Sequence, residues 1–130
     1  MQKSNKKIKF PMIHIIDDDK NVRDGFTILL QSAGFKSNAY ENAENFLEYY
    51  NQNHNNDLII LDINLTGMSG CDLMEHLAKR DLHLPVIIIT GYDEQATRIS
   101  AKNYGALAYL RKPVDSEALL DLIKYNFAYK

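Results

Sequence analysis

Three strand-length runs rich in Ile, Val and Leu, at residues 12–16, 58–61 and 86–89, constrain this chain more than any other feature. A strand with one wet face alternates apolar and polar residues. These runs do not alternate, so they predict strands buried on both faces, as in a parallel sheet covered by helices on each side. The intervening segments have helical spacing. Val22, Phe26, Leu29 and Leu30 share one face of a helix starting near Asn21 and ending at Gly34. Ala43, Phe46, Leu47 and Tyr50 mark a second helix, followed by a polar loop at 51–56. Leu73, Met74 and Leu77 mark a third over 71–79. Residues 93–104 predict a fourth, loosely packed because it carries few apolar residues. A last helix, capped by Asp115 or Ser116, carries Leu119, Leu122, Ile123 and Phe127. Weaker strands are expected at 35–40, near a sheet edge, and at 106–110. The order is strand-helix five times. With right-handed crossovers it closes as a three-layer, doubly wound (βα)5 sandwich of the α/β class.

The chain has 130 residues, enough for one domain with a single unit of core. A composition 45% hydrophobic and 25% charged excludes a disordered chain. A net charge of −2 gives no electrostatic case for direct nucleic-acid binding. Lys3, Lys6, Lys7 and Lys9 are read as a solvated basic tail over residues 1–11, ahead of a domain at 12–128. The single cysteine, Cys71, excludes an internal disulfide and suits a reducing compartment; packing is its expected role. No apolar stretch has the length of a signal peptide or membrane span, so a cytoplasmic protein without membrane contact is expected.

The strands end in reactive groups. The first is followed by Asp17-Asp18, the second by Asp62, the third by Thr90, and the last by Lys112-Pro113. In doubly wound sheets the carboxyl ends of the strands form the ligand site, so these groups should converge. Clustered carboxylates repel unless a cation neutralises them. With oxygen donors and no neighbouring His or Cys, the expected ion is Mg²⁺, with Mn²⁺ as an alternative. A lysine beside a cation is sensible only with an anion between them. A phosphoryl group contacting metal, Lys112 and the Thr90 hydroxyl balances the charges, with a carboxylate as its nucleophile. Each residue alone reads as a turn hydroxyl, a cap or a surface charge. The joint occurrence is what points to phosphoryl chemistry.

The motifs Ile15-Ile16-Asp17-Asp18-Asp19, Leu61-Asp62-Ile63-Asn64-Leu65, Met68-Ser69-Gly70, Ile89-Thr90-Gly91, Gly105-Ala106 and Lys112-Pro113 resemble the receiver domain of bacterial two-component response regulators. The likeness covers nearly the whole chain and is nearest to the chemotaxis and nitrogen-fixation regulator type. It implies a flavodoxin-like parallel sheet of order 2-1-3-4-5. It implies Asp62 as phosphoacceptor, with Mg²⁺ held by Asp17, Asp18, Asp62 and the Asn64 backbone carbonyl. Asp19, one residue beyond the family's acidic pair, is left a solvent or helix N-terminal role. Thr90 and Lys112 would bond phosphoryl oxygens, and Tyr109 would be the switch aromatic that follows Thr90. The Lys112–Pro113 bond would be cis, and Gly91 would leave the site open to donor or water. The implied partners are a sensor histidine kinase or a phosphotransfer protein that presents a phosphohistidine. The face of the fourth helix, fifth strand and fifth helix would carry the output and allow a homodimer. Tyr92 is placed to influence the lifetime of the phosphate.

One departure stands out: Thr66-Gly67 occupies the loop where the family usually has proline four residues after the phosphoacceptor, so a looser loop is expected. Competing readings fare less well. An aspartate-nucleophile phosphatase would want a general acid where Asn64 stands. A degenerate receiver used only for protein contact would not need the full set Asp17, Asp18, Asp62, Thr90 and Lys112. A flavodoxin-like cofactor binder would need a phosphate-cradling loop where this chain has acids.

Overall fold

The computed structural model describes residues 11–50, 56–92 and 94–128. Each apolar run is a strand, and the elements alternate throughout. They are β1 (Met12–Ile16), α1 (Lys20–Ser32), β2 (Lys36–Tyr40), α2 (Ala43–Tyr49) and β3 (Leu58–Asp62), then α3 (Gly70–Lys79), β4 (Val86–Thr90), α4 (Gln95–Asn103), β5 (Ala108–Arg111) and α5 (Ser116–Ala128). The five strands pair in parallel in the order β2-β1-β3-β4-β5, so the fold is the flavodoxin-like doubly wound sandwich expected from the sequence.

Period-two geometry splits each central strand between two cores. Ile16 of β1, Ile59 and Leu61 of β3, and Val86 and Ile88 of β4 face α2, α3 and α4, where they meet Phe46 and Leu73. Ile13, Ile15, Leu58, Ile60, Ile87 and Ile89 face α1 and α5, where they meet Leu30, Leu119 and Ile123. A fully buried aliphatic side chain stabilises by about 1.5–3 kcal/mol, which explains why the three central strands are continuously apolar. β2 lies at the edge and buries only Tyr40, and α4 buries only Ala101.

Local chemistry fixes the helix ends. Asp19 caps α1 by accepting from Asn21 N, Asn42 caps α2, and Ser69 with Asp72 forms a reciprocal capping box on α3. Asp115 Oδ1 accepts from Glu117 N and Ala118 N at the start of α5. The last strand begins later than residue 106, because Ala106 N closes the end of α4 on Ala101 O and Gly105 turns the chain at φ +79°. Most of the expected basic tail, the loop segment 51–55 and Asp93 fall outside the described residues.

Candidate functional site

Register brings the strand ends together. Ile16 pairs with Leu61, so Asp17 lies beside Asp62; Asp62 pairs with Ile89, so Thr90 follows on the next strand. Thr90 pairs with Arg111, and Lys112 N donates to Thr90 O at 2.8 Å. Four segments distant in sequence thus deliver their polar residues to one rim. The Lys112–Pro113 peptide bond is cis.

Asp17, Asp18 and Asp62 each offer a carboxylate oxygen, and these oxygens lie within 4.8 Å of one another. Asp17 and Asp62 are buried whereas Asp18 is exposed. Asp17 Oδ1 accepts from Asp19 N at 2.9 Å, and its backbone carbonyl accepts from Arg23 Nη1 at 2.8 Å. Lys112 Nζ lies 2.9 Å from Asp17 Oδ2 and 3.4 Å from Asp62 Oδ2. Asp17 Oδ2 is buried and ion-paired with Lys112, and among the described residues it accepts no well-directed hydrogen bond. An all-oxygen cluster with such an orphaned atom fits a hard divalent cation.

Burial raises the pKa of Asp62 above the usual carboxylate value; the Asn64 N–H bond and Lys112 oppose this, and Asp17 adds to it. Burial works against the Lys112 charge, but the two carboxylates together outweigh it and its pKa is raised. Asp62 Oδ1 accepts from Asn64 N at 3.0 Å, which fixes one carboxylate oxygen and leaves the other towards Lys112.

Thr90 is fully buried, and its hydroxyl is saturated. It donates to Tyr92 O at 2.8 Å while accepting from Tyr92 N at 3.0 Å and from Asn64 Nδ2 at 3.2 Å. Its one proton must therefore leave Tyr92 O before it reaches any other acceptor. Tyr109 is half-buried on β5, with a buried hydroxyl that has no hydrogen-bond partner among the described residues and Arg98 5.2 Å above its ring. Gly91 is exposed, and a Cβ there would make only ordinary contact with Lys112 Cδ at 3.9 Å. Cys71 is partly buried, and burial, with Asp72 nearby, pushes its thiol pKa up, which suits a packing residue.

Residues 13–124 match the family model described as the response regulator receiver domain. The chain belongs to that family. Among relatives of this receiver, the transcriptional regulatory protein FixJ of Azorhizobium caulinodans is 31% identical over 112 residues, covering 86% of this chain and 53% of that protein. The DNA-binding transcriptional regulator NtrC of Escherichia coli is 31% identical over 113 residues, 87% of this chain and 24% of its own length. The chain spans about half the length of the FixJ relatives that it matches. Among solved structures, the response regulator StyR superposes with TM-score 0.84 at 34% identity, over 91% of this chain and 59% of that one. FixJ-N superposes with TM-score 0.83 at 25% identity, over 95% and 98%.

The receiver also contains polar features that the sequence did not announce. His14 Nε2 lies 2.7 Å from Asp57 Oδ2 and Nδ1 lies 2.9 Å from the Tyr40 hydroxyl, all three residues being buried. The signal available was a histidine inside an apolar strand together with an acid directly before another; pairing them requires the register. Glu44 is a second case: its carboxylate crosses from α2 to accept from Met68 N at 3.3 Å.

Proposed function

We propose that residues 12–128 form a receiver whose Asp62 accepts a phosphoryl group from a phosphohistidine on a sensor kinase or phosphotransfer protein. The observation that carries this reading is the convergence of Asp17, Asp18, Asp62, Thr90 and Lys112 on one rim from four separate strand ends. An Asp62 carboxylate oxygen attacks phosphorus, the P–N bond breaks, and the released imidazole nitrogen keeps the bonding pair and takes up a proton. The product is an aspartyl phosphate, which water later hydrolyses. Asp17, Asp18, Asp62 and the Asn64 carbonyl would hold Mg²⁺, and bound Mg²⁺ neutralises charge on the carboxylates and the phosphoryl oxygens. Lys112 pairs with a second phosphoryl oxygen and thereby replaces part of its present pairing with the acids.

Thr90 supplies the readout. Its hydroxyl turns its hydrogen bond from Tyr92 O to a phosphoryl oxygen, and its movement makes room for the Tyr109 ring. The shift is a change in population, set by how much better one arrangement accommodates the phosphate. α4 and α5 expose Ile99 and Tyr125, with Tyr104 exposed just beyond α4, and apolar side chains exposed on these elements suit a protein partner. Incubation with acetyl phosphate and Mg²⁺, followed by intact-mass measurement, should show one added phosphoryl group. The adduct should be absent in Asp62→Ala. Failure of the wild-type protein to gain the group, or its retention in Asp62→Ala, would overturn the reading.

A further inference from the structure

The loop from Ile63 to Ser69 begins directly after the phosphoacceptor and carries Asn64, which contacts both Asp62 Oδ1 and Thr90 Oγ1. Both ends of this loop are tied. Ile63 N donates to Ile89 O, Gly70 N donates to Ile63 O, and Ser69 N donates to Asp72 Oδ2. Leu65 is buried and anchors the near side. The tip, residues 66–68, is different. Among the described residues, its single hydrogen bond runs from Met68 N to Glu44 Oε2. Gly67 sits at φ +76°, and a Cβ added there would lie 2.7 Å from the same Glu44 oxygen. The carboxylate therefore rests against the loop at a residue whose left-handed backbone favours glycine.

The base of this contact is rigid. Glu44 stands in the first turn of α2 between Ala43 and Asn45, and Ala43 and Phe46 are both fully buried in the core. Asn42 caps the helix by accepting from Asn45 N at 2.7 Å. α2 thus holds one end of a polar strut while the other end meets a loop that has a glycine at its tip and no proline.

We propose that Glu44 is a positioning residue for phosphoryl transfer: it orders the tip of the Asp62–Ser69 loop and so keeps Asn64 and the Asp62 carboxylate in register with Thr90. This rests on the phosphoacceptor reading above. Loss of the strut releases the Met68 amide, lets Asn64 drift and lowers the fraction of molecules with a competent site.

Two readouts test it, and only one depends on phosphoryl chemistry. Hydrogen exchange of the Met68 amide in the unmodified protein reports the strut itself. Glu44→Ala should speed that exchange by about fivefold, the size expected for loss of one partly exposed hydrogen bond to a carboxylate, whereas Glu44→Gln, which retains an acceptor, should stay within about twofold of wild type. Binding of beryllofluoride with Mg²⁺, followed by tyrosine fluorescence, reports positioning. It should weaken by about the same factor in Glu44→Ala and recover in Glu44→Gln.

A third arm asks whether loop stiffness is the cause. Thr66 N donates no hydrogen bond among the described residues, so Thr66→Pro removes none and restricts the tip through its fixed φ. In that background the effect of Glu44→Ala on beryllofluoride binding should fall below about twofold, while Met68 exchange still reports the lost bond. Unchanged Met68 exchange in Glu44→Ala would overturn the strut. Faster exchange with unchanged beryllofluoride binding would overturn the positioning role. An undiminished effect on beryllofluoride binding in the Thr66→Pro background would overturn stiffness as the mechanism. Failure of wild type to bind beryllofluoride at all would overturn the phosphoacceptor reading and leave the exchange result standing.

Discussion

Asp57→Ala should destabilise the protein strongly and leave the chemistry of Asp62 intact. Asp57 is 3% exposed and accepts from Met12 N at 3.2 Å, while its other oxygen lies 2.7 Å from His14 Nε2. Truncation removes a hydrogen bond to a charged group, worth about 1.5–3 kcal/mol, and takes one partner from His14, which is 4% exposed and packed beside Phe46 and Tyr50. Breaking a buried pair by deleting one partner costs about 3–5 kcal/mol. We take about 3 kcal/mol, because His14 Nδ1 keeps the Tyr40 hydroxyl. For a domain of this length, that is a fall in Tm of about 12 °C. Asp57→Asn keeps acceptor capacity and should lose about half as much. β3 separates Asp57 from Asp62 by about 17 Å, so the rate of phosphorylation by acetyl phosphate, measured well below Tm, should match wild type. Urea denaturation followed by circular dichroism gives the stability. A loss under about 1 kcal/mol would refute the energetic reasoning, because a buried bond of this kind should cost more. Lost phosphorylation in a folded Asp57→Ala protein would refute the separation of the two ends of the strand.

The remaining predictions concern the site and its supports. Gly70→Ala puts a Cβ 2.8 Å from Ile63 Cα and 3.1 Å from Asp62 O, both backbone atoms, so it should destabilise by about 2 kcal/mol or more in urea and slow phosphorylation of Asp62. Lys112→Met removes the cation nearest Asp17 Oδ2 and Asp62 Oδ2, so Mg²⁺ titrated against tyrosine fluorescence should bind about fivefold tighter while the phosphorylated state loses its switch response. Tyr109→Phe deletes a buried hydroxyl that has no partner among the described residues and keeps the ring beneath Arg98; stability should stay level or rise by up to about 1 kcal/mol by thermal denaturation.

The sequence by itself determined the fold class, the number of elements and the identity of the acids, hydroxyl and lysine at the strand ends. It did so because these are properties of short segments: continuous Ile and Val runs demand two-sided burial, and a helix or strand period is visible within a dozen residues. Boundaries were less legible where two uses of the backbone compete, as at Ala106, which the end of α4 claims before β5 begins. Tertiary structure alone decided three further matters. Parallel register set Asp17 beside Asp62 and Thr90 beside Arg111. Burial paired His14 with Asp57 across 43 positions of sequence. Helix placement brought Glu44 against Gly67, in a loop whose composition alone reads as loose. Each of these is a distance between segments remote in sequence, and no local pattern encodes such a distance. The residues of the site could be read from the chain; their mutual geometry, and the strut beneath their loop, came only with packing.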